Sequence, residues 1–146
     1  QTPLSRGQLV TVLYRMEGSP EVTGSSGFQD VAPNQYYTQA VAWAKENGLV
    51  HGVTDTLFRP ADSITREQFA AIVYRYASWK EQDVTAQADL TSFADAGGVS
   101  AYAQIPMAWA VAEGLIQGLS ETTLSPRGAT TRAQAATILV RYLEQL

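Results

Sequence analysis

The chain contains no cysteine, which excludes disulfide stapling, thiolate chemistry and cysteine-ligated metal. Its single histidine, His51, has no acidic neighbours at metal-ligand spacing, and no oxygen-rich calcium loop is present, so no metal or other cofactor is expected. Charge is sparse: 16% of residues carry it, and the balance is -4. A general affinity for nucleic acid or anionic membranes needs a basic surface and is therefore not expected. Any anion must be caught by a local site. Long apolar runs are missing too, so membrane insertion is not expected. No signal-peptide pattern is present; the opening residues QTPLSRG run straight into a repeated element, so the start reads as a processing boundary.

What the chain does contain is one sentence written three times. It reads LSRGQLVTVLYRM from Leu4, ITREQFAAIVYRY from Ile64 and TTRAQAATILVRY from Thr130. Ser5, Thr65 and Thr131 are N-caps, each followed three residues later by glutamine (Gln8, Gln68, Gln134), the pattern of a capping box. Apolar residues then recur at helical spacing: Leu9, Val12, Leu13 and Met16; Phe69, Ile72, Val73 and Tyr76; Ala135, Ile138, Leu139 and Tyr142.

A second element alternates with the first. FQDVAPNQYY leads into a helix from about Tyr37 to Asn47, with Trp43 on its apolar face and Gly48 at its end. FADAGGVSAY leads into another near Ile105, with Pro106 in the first turn, Trp109 and a terminal Gly114. Trp43 to Trp109, Gly52 to Gly118, Pro60 to Pro126 and Arg66 to Arg132 are each 66 residues apart. The expectation is an all-α, single domain, 1–146, of tandem helix–loop–helix repeats around a pseudo-threefold central three-helix bundle. Residues 1–18 would be the C-terminal half of a first repeat, 28–77 the second and 93–146 the third, with linkers at 19–27 and 78–92.

These residues resemble the S-layer homology (SLH) domain family. The resemblance lies in Phe28, Asp30, Trp43, Gly48, Gly52, Phe58, Pro60 and Thr65–Arg66–Glu67, and again in Phe93, Asp95, Trp109, Gly114, Gly118, Leu124, Pro126 and Thr131–Arg132–Ala133. It implies a non-catalytic module at the extracellular face of Gram-positive cells. Such modules hold an exported protein to the cell wall or S-layer by binding anionic, often pyruvylated, secondary cell-wall polysaccharide or another peptidoglycan-linked glycan. The alternative is a self-assembly repeat making protein–protein contacts in a surface layer. Two features depart from the family pattern: the fourth motif position is glutamine in every copy, and the first half-repeat is missing. The incomplete repeat is expected to leave a helix face open to a second molecule, a route to a homo-oligomer.

The candidate binding residues start with Arg6, Arg66 and Arg132, each one residue past an N-cap. A cation there opposes the helix dipole, at a cost of a few tenths to about 1 kcal/mol. An anionic ligand would reverse that sign, because first-turn N–H groups and a forked guanidinium suit a carboxylate. The competing structural role is pairing with an acidic loop residue such as Asp30, Asp62 or Asp95; the family resemblance favours the ligand. Trp43 and Trp109 are candidates for sugar stacking or for the core, and Tyr36, Tyr37 and Tyr102 are further stacking candidates. Gly52 and Gly118 are expected to serve turns with positive φ or a close approach to a ligand. Arg15, Arg75 and Arg141 fall ten residues after each cap and read as solvated or salt-bridged charges late in their helices. The carboxylates are not placed consistently with a paired acid and base, so an enzyme is not expected.

Overall fold

A computed structural model describes residues 2–145, so the outermost residues assigned to the first and third repeats, Gln1 and Leu146, lie outside the described residues. Among the described residues the fold is all-α, with five helices and no strand. They are α1 (Arg6–Met16), α2 (Thr38–Glu46), α3 (Arg66–Trp79), α4 (Gln104–Ala112) and α5 (Arg132–Glu144); short 3-10 turns at Ala96–Gly98 and Ala101–Ala103 lead into α4.

The capping boxes form as expected. The Ser5, Thr65 and Thr131 hydroxyls accept from the Gln8, Gln68 and Gln134 amides, and each glutamine side chain returns a bond from the cap N–H. The Trp-bearing helices start without a side-chain cap but end firmly. Gly48 and Gly114 both adopt φ 73°. The next N–H groups, of Leu49 and Leu115, then reach back to the Ala44 and Ala110 carbonyls at 2.8 Å. This is a Schellman ending, with the buried leucine as its apolar contact.

The chain divides into two compact units, and their boundary falls inside the sequence repeat. One unit is Leu4–Ser63; the other is Ile64–Leu146 together with Gln1–Pro3. Each unit therefore joins the second helix of one sequence repeat to the first helix of the next.

In the unit Leu4–Ser63, α1 packs on α2. Leu9, Val10, Leu13 and Tyr14 are buried, whereas Val12, assigned to the apolar face by periodicity, is 37% exposed. The reason is that α1 has a second buried stripe, Val10, Thr11 and Tyr14. Tyr14 lies 5.6 Å from the Trp43 ring. Burying each Val or Leu here contributes about 1.5–3 kcal/mol. The linker is tied down at both ends: the Tyr14 hydroxyl donates to Pro20 O at 2.6 Å, and Lys45 Nζ donates to Ser26 O at 2.8 Å.

In the second unit α3 packs on α4, and Tyr74 meets Trp109 edge-on at 5.6 Å. Phe69, Ile72, Val73 and Tyr76 are all buried, joined by Ala70, Ala71 and Ala77. α5 contributes Ala135, Ile138 and Tyr142 to the interior, and the Tyr142 ring lies 6.1 Å from Tyr76. The linker crosses this unit with the Ala88 N–H donating to Ala108 O at 3.0 Å.

Candidate functional site

The two arginines that open α1 and α3 point inward. Arg6 is 5% exposed and Arg66 is 6% exposed. Arg6 Nε donates to Phe58 O at 2.8 Å and Nη2 to His51 O at 3.4 Å; its guanidinium lies 4.7 Å from the Phe58 ring centre. In the other unit Arg66 Nε donates to Leu124 O at 2.9 Å and Nη2 to Gln117 O at 2.6 Å. Each arginine therefore holds the loop that follows the Trp helix. Burial pushes the Arg66 pKa below the ordinary arginine value, and the nearby Asp95 carboxylate opposes that shift.

The aspartates of the two FxD segments grip the same loop from its other side. Phe58 N–H donates to Asp30 Oδ1 at 2.9 Å and Arg59 N–H to Asp30 Oδ2 at 2.8 Å. Leu124 and Ser125 donate to the two oxygens of Asp95, each at 2.8 Å. Arg59 and Ser125 adopt positive φ, 58° and 56°, which turns two consecutive amides toward one carboxylate. The peptide at Phe58 or Leu124 is thus held through its N–H by an aspartate and through its C=O by an arginine.

First-turn amides that could receive an anion are occupied as well. Arg6 and Gly7 donate to Asp62 O and Pro60 O at 2.9 and 2.8 Å; Arg66 and Glu67 donate to Gly128 O and Pro126 O at 2.9 and 2.8 Å. Arg132 N–H donates to Thr2 O at 2.9 Å, but its side chain is exposed. Loop carbonyls, not a ligand, satisfy the starts of α1 and α3.

Gly52 and Gly118 lie in those loops without positive φ, contrary to the turn expected of them. Close approach is what requires glycine. A Cβ on Gly52 would lie 2.6 Å from both Leu57 O and the Phe28 ring, and one on Gly118 would lie 2.5 Å from Ser120 O and 2.6 Å from the Phe93 ring. The group that approaches is the loop's own backbone. Trp43 and Trp109 are interior, 4% and 3% exposed. His51 is an exposed loop residue whose carbonyl serves Arg6. Among the described residues no group of three His, Cys, Asp or Glu is placed to hold a metal.

Concavity and exposed recognition chemistry coincide elsewhere in the unit Leu4–Ser63. A groove of about 850 Å³ runs between the linker, α1 and the turn before α2, lined among others by Arg15, Ser25, Asn34, Tyr36 and Gln39. Tyr36 is 57% exposed and stands edge-on to Tyr37 at 5.0 Å between ring centres. Arg15 is exposed on the same groove. Its cue in the sequence was its recurrence with Arg75 and Arg141 at one offset, a pattern that helix-end electrostatics also explains. In the second unit Tyr102 is 48% exposed, with its hydroxyl donating to Glu67 Oε2 at 3.2 Å.

Helix–loop–helix units, with loops clamped by buried arginine and aspartate, define a small helical repeat module. Residues 27–70 and 92–136, more than half of the chain, match the S-layer homology domain family. The chain belongs to this family, whose non-catalytic modules commonly anchor S-layer proteins and wall enzymes at the cell surface. Among curated relatives, the surface-layer 125 kDa protein of Lysinibacillus sphaericus is 33% identical over 146 residues, covering 98% of this chain and 12% of that protein. An amylopullulanase of Thermoanaerobacterium thermosulfurigenes is 31% identical, covering 97% of this chain and 8% of its own length. The exoglucanase XynX of Acetivibrio thermocellus is also 31% identical, at 97% and 13%. The chain thus spans only a small part of each of these relatives. No helix among the described residues is long and apolar enough to cross a membrane.

Proposed function

We propose that the chain anchors an exported protein non-covalently to the cell wall by binding an acidic, pyruvylated secondary cell-wall polysaccharide in the groove of the unit Leu4–Ser63. One observation carries this reading: an exposed tyrosine, Tyr36, and an exposed arginine, Arg15, line the same open groove. Tyr36 offers an aromatic face to a sugar ring. Arg15 offers a guanidinium fork to a ketal carboxylate. Asn34 and Gln39 supply amide donors and acceptors for hydroxyl and acetamido groups. At about 850 Å³ the groove falls in the size range of small-ligand sites, which runs to about 1,000 Å³. Arg6 and Trp43 support the site by holding a loop and a helix of the same unit.

The test is co-sedimentation of the chain with purified cell walls. Arg15→Ala and Tyr36→Ala are each expected to weaken binding about tenfold, as loss of one charged hydrogen-bonding or aromatic contact would. Removing pyruvate from the walls should reproduce the Arg15→Ala loss and leave the Tyr36→Ala effect additive. Undiminished binding by both variants, with native helical content, removes this groove as the site.

A further inference from the structure

The two units differ in their cap motifs. The third residue of the cap motif is Gly7 in the first unit and Glu67 in the second. Glu67 is 5% exposed. Its carboxylate accepts the Ser100 N–H at 2.9 Å, the Ser100 hydroxyl at 2.6 Å and the Tyr102 hydroxyl at 3.2 Å. Tyr102 stands 65 and 66 residues after Tyr37 and Tyr36, in the turn that leads into the Trp helix. Arg75 stands 60 residues after Arg15 and is half-buried, close enough to Tyr102 to interact with it electrostatically. The counterpart of the tyrosine that lines an open groove in one unit is thus drawn, in the other, onto a carboxylate that belongs to the protein. The linker adds to this, because Ala88 hydrogen-bonds Ala108, the counterpart of the groove residue Ala42.

We infer that Glu67 acts as a built-in competitor for the ligand carboxylate, so that the chain has one working glycan site, in the unit Leu4–Ser63, and a silent copy in the other. The inference rests on the groove reading above. A fixed anion hydrogen-bonded to Tyr102 occupies its polar end and repels a second carboxylate arriving beside it. Gly7 brings neither a charge nor a hydrogen-bonding side chain to the first unit.

The experiment is calorimetric titration of the whole chain with a methyl hexoside bearing a 4,6-pyruvate ketal, alongside amide-shift mapping. The wild type should bind one equivalent, with shifts around Arg15 and Tyr36 and not around Arg75 and Tyr102. Glu67→Gly should add a second equivalent that survives Arg15→Ala. Glu67→Gln, which keeps the shape and most of the hydrogen bonds but not the charge, should raise second-unit affinity at least about tenfold. Two equal sites in the wild type, or one site in folded Glu67→Gly and Glu67→Gln, would overturn the inference while leaving the groove reading standing. A wild-type chain that shows neither heat nor shifts removes both.

Discussion

Replacing Arg66 with methionine separates a loop clamp from a ligand contact. Methionine keeps much of the length and apolar volume of the arginine stem but donates nothing. Leu124 O and Gln117 O would each lose a charge-assisted bond, now 2.9 and 2.6 Å long, and Leu124 is 0% exposed, so water cannot readily replace the donor. Bonds to charged groups are worth about 1.5–3 kcal/mol each. Against this, the buried cation is costly, as its lowered pKa records, and methionine relieves that cost. A net loss of about 2–4 kcal/mol follows. For a chain of this size each kcal/mol moves the melting point by about 2–4 °C, so the transition should fall by about 5–15 °C. The internal control is Arg132→Met. It sits at the same place after the same cap, but its side chain is exposed, and the cost should stay within about 0.5 kcal/mol. Arg66→Lys should recover only part of the loss, because an ammonium cannot span both carbonyls as the fork does. Thermal and urea melts followed by circular dichroism decide the matter. Equal losses for Arg66→Met and Arg132→Met would refute the clamp and restore the two arginines as equivalent surface groups.

Two further expectations concern the same loops. Gly52→Ala should cost about 1–3 kcal/mol in a urea melt, because its methyl group would collide with Leu57 O and the Phe28 ring; Gly24→Ala, with nothing within 4 Å, should be near neutral, and equal costs would count against the close-approach argument. The Asp95 carboxyl is held below the usual carboxylate range, first by the Leu124 N–H, then by the Ser125 N–H, with a smaller share from Arg66. A depressed pKa stabilises the fold above the unfolded value of about 3.9 and loses that contribution as pH falls through the lower folded value. The Leu124 and Ser125 amide resonances should therefore titrate with a midpoint below about 3.9, and a midpoint at or above it would contradict the hydrogen-bond assignment.

The half-repeat offset between sequence and structure has a functional side. The unit Leu4–Ser63 encloses one linker and the helices on either side of it. The groove is lined in part by that linker, the segment where the two sequence copies differ most in length and polarity, and in part by α1 and the turn before α2. α1 is packed on α2, and in α5 the buried residues are Ala135, Ile138 and Tyr142.

Everything with a short-range cause was legible in the sequence. Ser5, Thr65 and Thr131 with their glutamines marked three helix starts, and Gly48 and Gly114 marked two ends, because caps and αL endings are set within four or five residues. The repeat, the all-α class and the family followed from the same local pattern. The roles of the arginines did not. Arg6 reaches its carbonyl partners across 52 and 45 residues, and Arg66 across 58 and 51. A helix dipole seen alone makes such a cation look misplaced, and only the folded loop supplies the carbonyls that satisfy it. Glu67 is similar: it reads as an ordinary acidic first-turn residue until Ser100 and Tyr102, 33 and 35 residues on, are brought onto its carboxylate. Helical periodicity specifies which side chains share a face. Tertiary packing decides which face meets protein and which meets solvent, and so placed Arg66 inside and left Arg15, Tyr36 and Arg132 on the surface.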